Sequence, residues 1–297
     1  MPDTSPLKEP MTYKQQIEHL IVDHGLIITD PSKAEEILKC VNYYRLSAYG
    51  IGLIDKSTDR YREGISIEHL FSLYRFDSRL RNIISPVIEF VEIKLRSIIA
   101  YHLAVNYGSE CYRNRAYFHP WTSGVTGKDM FEVFNDNVDR EIKKQSKKPM
   151  VVHHNQKYGG HFPIWAVVEL LPLGSLSTLY SLMKREDQKV VAAQFHTGYA
   201  YMKSWFAALV ELRNICAHYG RLYNMPLDSV AKLPPAESQY ANKRLFTDCL
   251  ALKYITSRES VWRTFLSSLI AVIDECPQVN LECIGFPDDW KEVIQAN

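Results

Sequence analysis

The chain has 297 residues, of which 46% are hydrophobic and 23% charged, a balance typical of a globular protein rather than a disordered one. Its formal net charge of +1 excludes a polybasic protein of the histone type, so any nucleic-acid site has to gather its positive charge locally. Six cysteines are scattered without zinc-knuckle spacing, and no segment approaches the roughly 18 apolar residues of a membrane helix, so we expect a cytoplasmic protein with reduced core cysteines.

The spacing of the apolar residues is helical almost everywhere, and no segment shows the alternation expected of a strand. We therefore predict an all-α fold, with more than half of the residues helical and no sheet beyond a small hairpin. The predicted helices cover 12–24, a segment that starts at Asp30-Pro31, Ser66 to about Asn106 with a break left open at Arg81–Pro86, 128–145, Pro163 to Leu182 with an interruption at Pro172-Leu173-Gly174, 186–195, Tyr199–Tyr219 up to Gly220, 241–256 and 258–275.

Segment 204–224, SWFAALVELRNICAHYGRLYN, is the most informative part of the chain. On a helix, steps of three and four residues place Glu211, Asn214 and His218 on one face, with Arg213 beside them. The opposite face is apolar and comprises Trp205, Leu209, Leu212, Cys216 and Tyr219. The segment therefore predicts a buried helix that carries a polar stripe with a histidine near its end.

Arg213 and His218 form an R-x4-H pair, which resembles the R-x(4–6)-H signature of HEPN ribonucleases and thereby implies the cleavage of RNA without a metal ion. This reaction needs groups that take a proton from the 2′-hydroxyl and give one to the leaving 5′-oxygen, and histidine can do either near neutral pH. It also needs a cation at the phosphorane, where arginine can grip two phosphate oxygens. A helix-end histidine and a surface arginine without function would have the same spacing.

Two other arginine–histidine pairs have a similar spacing. Arg96 and His102 lie on the long predicted helix, where we interpret them as packing residues with a Glu92–Arg96 pair one turn apart. Glu92 can instead hold the arginine of the first pair in place. Arg113 and His119 lie in an irregular segment, and we interpret their spacing as accidental.

The string ELRNICAHYGRLYN resembles the C-terminal motif of abortive-infection (Abi) proteins of the AbiD/AbiF type, which carry an LRNxxAHxxRLxN pattern. Three further blocks resemble the family in the family's order: VNYYRLSAYG (41–50), YRFDSRLRNIISPVIEFVEIKLRSIIA (74–100) and FPIWAVVELLPLGSLSTLY (162–180). The resemblance covers about residues 13–224. The residues that match the C-terminal pattern are Leu212, Arg213, Asn214, Ala217, His218, Arg221, Leu222 and Asn224.

This resemblance implies a HEPN-like helical bundle, ribonuclease toxicity that halts phage-infected cells and, in some members, a non-coding RNA that restrains the toxin. HEPN folds usually pair two motif copies across a dimer, so the single good copy here implies a homodimer or a transient pairing. Residues 1–65 would form an N-terminal helical segment packed on the core, 66–225 the HEPN-like domain and 226–297 a C-terminal helical extension. All three can also be one globular unit.

Segment 140–157 is the most basic part of the chain, and it is either a solvated loop or a strip that contacts RNA phosphates. Its adjacent histidines, His153 and His154, have no carboxylate or cysteine at ligand spacing, so we do not expect a metal there. Tyr43, Tyr44 and Tyr49 either stack on bases or belong to the core. The cations of the segment are Arg140, Lys143, Lys144, Lys147, Lys148 and Lys157.

We expect a metal-independent endoribonuclease of the abortive-infection type that needs no cofactor. Arg213 would stabilise the phosphorane, His218 would transfer protons and Asn214 would orient either group, with Glu92 and Glu211 in support. RNA would be bound by Lys143, Lys144, Lys147, Lys148 and Arg221. The alternatives are a non-catalytic RNA-binding protein of a phage-defence system and a regulator that binds only proteins.

Overall fold

The computed structural model describes residues 9–296, and more than half of these residues are helical. The prediction of an all-α fold is confirmed: apart from isolated bridges, the described residues contain only two short antiparallel strands, β1 (Ile54–Asp55) and β2 (Arg60–Tyr61). The helices are α1 (Tyr13–Val22), α2 (Pro31–Cys40), α3 (Tyr43–Ser47), α4 (Ile67–Tyr107), α5 (Met130–Lys144), α6 (Pro149–Lys157), α7 (Ile164–Leu170), α8 (Leu173–Leu182), α9 (Arg185–Ala193), α10 (Tyr199–Ala217), α11 (Leu245–Thr256), α12 (Ser260–Asp274) and α13 (Trp290–Gln295).

The N-terminal helices begin where side chains cap their first turns. The Thr12 hydroxyl accepts the backbone N–H of Gln15, and the Gln15 side chain accepts the N–H of Thr12, which is a capping box at the start of α1. Asp30 accepts two backbone N–H groups at the start of α2, where Pro31 occupies the first helical position. These helices, the β1–β2 hairpin and the start of α4 share a small hydrophobic cluster that includes Leu20, Leu26, Ile37, Leu38, Leu46, Tyr61, Ile67 and Leu70.

Helix α4 is the central element, with 41 residues and therefore a length of roughly 60 Å. The break left open at Arg81–Pro86 does not occur, although Pro86 removes one backbone hydrogen bond from the helix interior. Buried residues on both sides of the proline keep the helix in place, because one apolar stripe runs along its whole length. The stripe includes Leu73, Phe76, Leu80, Ile84, Val87, Val91, Leu95, Ile99 and Leu103.

The remaining helices pack around α4, with α7, α10 and α12 as its main neighbours. Two ion pairs join α4 to the C-terminal region: Lys94 Nζ lies 2.8 Å from Glu259 Oε1, and Arg79 Nη2 lies 2.6 Å from Glu275 Oε2. Helices α11 to α13 contribute to the same hydrophobic core as α4 and α10. The six-residue α13 has no counterpart among the predicted helices, since it is shorter than two helical turns.

The loop interpretation of segment 140–157 is wrong. Helix α5 continues to Lys144, a short turn follows, and α6 begins at Pro149. The buried side chains of Val138 and Val151 attach the two helices to the core, so the polar residues between them are held on a helix–turn–helix. The four lysines at 143, 144, 147 and 148 are all exposed.

Within residues 9–296 no helix is long and apolar enough to cross a membrane. The same residues contain six free cysteines. Cys111, Cys216 and Cys249 are buried as expected of core residues, whereas Cys40 is exposed and the expectation is wrong for it. Burial raises the pKa of the Cys111 thiol to about 11, so this side chain stays protonated and packs as an apolar group.

Candidate functional site

Helix α10 carries the arginine and the histidine of the sequence motif. One face of the helix is buried, as predicted, through Trp205, Leu209, Leu212 and Cys216. Asn214 and His218 are both exposed on the other side. The prediction of Tyr219 on the apolar face is wrong, because the Tyr219 side chain is 70% exposed.

The end of α10 explains the position of Tyr219. The Gly220 N–H donates to the carbonyl of Ile215 at 2.8 Å, and the Tyr219 N–H donates to that of Cys216 at 3.3 Å, which is a Schellman motif. His218 is therefore the C-cap, and Tyr219 adopts the left-handed conformation with φ of 56°. The backbone turns away from the helix axis here, and this directs the tyrosine ring into solvent.

The chain after this turn is held by a buried carboxylate on α4. The side chain of Asp77 accepts the backbone N–H groups of Leu222 (3.1 Å) and Tyr223 (2.8 Å), the Tyr49 hydroxyl (2.8 Å) and the Arg81 guanidinium (2.5 Å). Arg81 also donates to the carbonyl of Gly220 at 2.9 Å. Burial, reinforced by the charge of Asp77, raises the pKa of Tyr49, so its hydroxyl remains a donor.

The N-terminal block of the chain closes the other side of the turn. Arg45 Nη1 donates to the carbonyl of Tyr219 at 2.5 Å. Arg221 donates to the carbonyl of Ala48, and Asn224 Nδ2 donates to the carbonyl of Ile51 at 2.7 Å. Three of the sequence blocks, 41–50, 74–100 and 212–224, therefore meet at the end of α10 and determine where His218 lies.

Arg213 lies over a cleft between α4 and α10 that has a volume of about 390 Å³. Its Nε atom is 3.6 Å from Oε2 of Glu92, whose other oxygen accepts from Arg96. Arg96 in turn donates to the carbonyl of Val168 on α7. The cleft is lined by Ser85, Ile88, Glu89, Glu92, Ile93, Arg213, Cys216 and Ala217.

The arrangement gives Arg213 and His218 different environments. Five residues on a helix correspond to 500°, so the two side chains leave α10 about 140° apart. Arg213 is oriented by Glu92, whereas the His218 imidazole makes no hydrogen bond or ion pair within residues 9–296. Near its end, α10 therefore presents two groups on different sides: the Arg213 guanidinium, which Glu92 positions, and the exposed His218 imidazole, which can carry a proton.

Glu211 and Arg221 make contacts within the protein. The Glu211 carboxylate accepts the backbone N–H groups of Asp228 and Ser229, each at 2.7 Å, and so holds the loop that follows the motif. The Arg221 guanidinium is engaged with the carbonyl of Ala48 and lies 6.0 Å from the centroid of the Tyr49 ring. Both residues thus contribute hydrogen bonds that fix the backbone around the end of α10.

The other arginine–histidine pairs are engaged in structural contacts. Arg96 pairs with Glu92 as predicted, and His102 Nε2 lies 2.7 Å from the Asp187 carboxylate on α9. Arg113 pairs with Asp139 on α5 at 2.5 Å. His102 is thus held by a carboxylate, whereas the His218 side chain has no such partner within residues 9–296.

Sequence reasoning missed Arg45, Asp77 and Arg81 as residues that shape this site. Asp77 and Arg81 are in phase with the buried stripe of α4 and are themselves buried. A charged pair four residues apart on an apolar face is a signal for a buried interaction. The tyrosines behave differently from one another: Tyr49 is buried in the network, while the Tyr44 side chain is 85% exposed.

Comparison with protein-family models gives a match over more than half of the chain. A family model described as Abi-like protein matches residues 36–224. The matched span includes all the sequence blocks that meet at the end of α10. No curated protein and no solved structure matches the chain.

Proposed function

The chain belongs to the Abi-like protein family, which indicates a role in abortive infection, and we propose that it fulfils this role as a metal-independent endoribonuclease. The observation that carries the proposal is the end of α10, where Arg213 is oriented by Glu92 and His218 is exposed and unengaged. A network of hydrogen bonds from distant parts of the chain supports this one helix end. Such pre-organisation is typical of a functional site.

The proposed chemistry uses the RNA's own 2′-hydroxyl as the nucleophile. A base takes the proton of the 2′-hydroxyl, the 2′-oxygen attacks phosphorus, and the 5′-oxygen leaves with a proton from an acid. His218 carries protons in this reaction. Arg213 stabilises the charge of the phosphorane with two parallel hydrogen bonds, and Asn214 orients either group. The products are a 2′,3′-cyclic phosphate and a free 5′-hydroxyl.

We propose that two copies of the chain form the active site together. Arg213 and His218 of one helix diverge by about 140°, so a single copy presents them to different sides. In the two-fold pairing of α10 helices that we propose, the arginine of each copy lies near the histidine of the other. The resemblance implies a pairing of two motif copies, and the crossed arrangement of arginine and histidine is part of our proposal.

We also propose that a non-coding RNA restrains the toxin, as the resemblance implies. The lysines at 143, 144, 147 and 148 support RNA binding, because they are exposed and concentrated at one turn of an otherwise nearly neutral protein. RNA that fills this surface competes with substrate RNA. Release of that RNA on infection would free the nuclease.

The test is RNA cleavage by purified His218→Ala, Arg213→Ala and Arg213→Lys proteins in the presence of EDTA. We expect the wild type to cleave and to leave 2′,3′-cyclic phosphate ends, and all three variants to be inactive while still binding RNA. Arg213→Lys should not rescue, since an ammonium group cannot grip two oxygens in a fork. His196→Asn, a change to an exposed histidine at a left-handed turn position, is the control and should cleave normally.

Two results would overturn the assignment. Loss of cleavage in EDTA, or wild-type cleavage by His218→Ala, shows that this helix end is not a metal-independent active site. A wild type that binds RNA tightly but leaves it intact, whatever the metal present, supports the non-catalytic RNA-binding alternative.

A further inference from the structure

A second pocket, with a volume of about 410 Å³, shares no lining residue with the cleft between α4 and α10. It lies between α6, the loop after α4 and the start of α7. Its walls include Glu110, His153, Tyr158, His161 and Trp165. The backbone around it is held in place by a hydrogen bond of 2.7 Å from Ile164 N to the carbonyl of Ser109.

The side chains of this pocket suit a flat, polar ring. Trp165 is 55% exposed and Tyr158 46% exposed, so aromatic surface is open to a ligand at the pocket wall. Glu110 contributes a carboxylate, which lies 3.1 Å from Nδ1 of His161 and has lone pairs left to accept hydrogen bonds. Stacking surface beside a carboxylate acceptor is what a nucleobase with an exocyclic amino group needs.

The pocket lies on the most basic part of the molecule. Segment 140–157 has six basic residues and one acidic residue, so its formal charge is +5 against +1 for the whole chain. Lys157 Nζ lies 5.3 Å from the centroid of the Tyr158 ring, at the pocket end of α6. Lys147 and Lys148 are exposed at the opposite end of the same helix. Cations along α6 can therefore follow a phosphate backbone past the pocket.

The surface continues from this pocket to the proposed active site. Trp165 also lines a neighbouring cavity of about 500 Å³, together with Arg96 and the 72%-exposed Tyr101. Arg96 bonds Glu92, which in turn pairs with Arg213 in the cleft between α4 and α10. A second exposed aromatic ring and a chain of ionic contacts thus connect the pocket to Arg213.

We infer that this pocket binds one unstacked base of single-stranded RNA that bears an amino group, namely adenine, cytosine or guanine, and that the strand continues past Tyr101 toward Arg213. The base stacks on Trp165, and Glu110 accepts a hydrogen bond from its amino group. The inference rests on the proposed ribonuclease function and names the substrate contact that would select the cleavage site. Within residues 9–296 no three His, Cys, Asp or Glu side chains are grouped to hold a metal ion.

The experiment measures binding of fluorescent 12-nucleotide strands of oligo(A), oligo(C) and oligo(U) to the full chain by fluorescence anisotropy. The His218→Ala background prevents cleavage by the proposed site, and EDTA inhibits contaminating metal-dependent nucleases. We expect tighter binding of oligo(A) and oligo(C) than of oligo(U). Trp165→Leu should weaken binding of all three by about 5- to 150-fold, the range expected for loss of one base–aromatic stack. Trp165→Phe is the matched control and should retain most of the affinity.

Glu110→Gln separates base contact from charge. The change replaces an acceptor-only carboxylate with an amide, so it should reduce the preference for oligo(A) and oligo(C) over oligo(U). Removal of a repulsive charge alone would instead strengthen binding of all three strands equally. An equal strengthening, or identical binding by Trp165→Leu, Trp165→Phe and the parent protein, overturns the inference.

The outcomes also separate this inference from the proposed function. If the wild type cleaves RNA in EDTA but Trp165→Leu has no effect on binding, the pocket assignment is wrong and the nuclease stands. If the chain binds none of the strands and cleaves no RNA, both are wrong. If Trp165→Leu dissociates a dimer in light scattering while each chain binds RNA as before, Trp165 is a contact between copies and the base pocket is wrong.

Discussion

Glu92 shows at the residue scale how a single carboxylate can organise the proposed active site. It lies on α4 with 15% of its side chain exposed and reaches two arginines, Arg96 within the same helix and Arg213 on α10. The Arg96 contact is local and ties Glu92 in place, since Arg96 is itself bonded to the carbonyl of Val168. The remaining oxygen of Glu92 can then orient Arg213 without a further loss of side-chain freedom.

We expect Glu92→Gln to lower the rate constant for RNA cleavage by about 10- to 100-fold, the cost expected for a displaced positioning contact, with little change in RNA affinity. The neutral amide holds a guanidinium less firmly than a carboxylate does. Single-turnover cleavage and anisotropy binding are the measurements. Glu89→Gln, a change in the same cleft at an exposed residue, is the control and should cleave like the wild type. Equal cleavage rates for Glu92→Gln and Glu89→Gln would contradict the role of Glu92 in positioning Arg213.

Asp248 on α11 is a second carboxylate in an unusual environment. Burial raises its pKa well above the ordinary value, and the negative charge of Glu211 adds to this effect. Neither of its carboxyl oxygens has a hydrogen-bond partner within residues 9–296. The folded chain therefore binds this proton more tightly than the unfolded chain does. The resulting contribution to stability is present at acidic pH and is lost as the pH rises from about 3.9 toward the folded pKa.

Asp248→Asn should raise the free energy of unfolding at neutral pH, because an amide cannot ionise. The pH-dependent part of this gain should be about 1.4 kcal/mol for each unit between the unfolded pKa and the lower of the pH and the folded pKa. Urea unfolding at pH 5 and pH 8 measures it, and the difference from wild type should be larger at pH 8. Asp136→Asn, at an exposed position, should change stability little at either pH. A stability difference from wild type that is the same at pH 5 and pH 8 would contradict the protonated assignment.

At the scale of elements, most helices could be predicted because periodic apolar residues and end signals agree. The start of α2 at Asp30-Pro31 and the start of α7 after Pro163 are examples. The predicted end of α10 is less accurate. The sequence indicated Gly220 as the residue that ends the helix, but the residue in the left-handed conformation is Tyr219. Tyrosine is not a usual residue for this conformation, so local propensity favours the glycine, and the contacts of Arg45 and Asp77 with the following backbone decide the outcome.

Packing decides two other elements: it makes a helix of residues that the sequence left as a loop, and it settles the break left open at Arg81–Pro86. Helix α6 was not predicted because most of its residues are polar, although Val151 is fully buried and anchors the helix to the core. Helix α4 continues through Pro86 because the surrounding core holds both halves in line, which outweighs the missing hydrogen bond. In both cases tertiary contacts that a single sequence does not display override the local pattern.

The turn between α5 and α6 provides a test at this scale. Replacement of Lys143, Lys144, Lys147 and Lys148 with Ser should weaken RNA binding and reduce the slope of log K against log salt by roughly 0.7 for each lost single-strand phosphate contact. Binding titrations between low and moderate salt measure the slope. The control replaces Lys33, Lys39 and Lys189, which lie in ion pairs with carboxylates elsewhere, and should leave the slope unchanged. An unchanged slope in the quadruple variant means that these lysines are exposed to solvent and do not contact RNA phosphates.

At the scale of the whole molecule, the candidate site depends on residues that are far apart in the chain. Arg45 and Tyr219 are separated by 174 positions, and Asp77 and Tyr223 by 146. The motif around Arg213 and His218 could be located from the sequence, because it is local and resembles a known pattern. The hydrogen bonds from Arg45 and Asp77 that fix the backbone after the motif could not be predicted from the sequence. Periodicity shows which faces of a helix are buried but not which segments meet.

The last prediction concerns the pairing of two copies. Arg213→Ala and His218→Ala are each expected to be inactive, but an equal mixture that exchanges subunits contains about one half mixed dimers. If the arginine of one copy works with the histidine of the other, each mixed dimer has one intact site of two, and the mixture should recover about a quarter of wild-type cleavage.

A site in which both residues act from the same copy, or one that needs all four residues, recovers nothing, because no mixed dimer contains such a set. Co-purification through a tag on one variant verifies that mixed dimers form, and light scattering gives the mass. An inactive mixture with mixed dimers present would contradict the crossed arrangement, whereas a strict monomer with and without RNA would contradict any composite site. The divergence of about 140° between the two side chains on α10 makes the crossed arrangement the expected one.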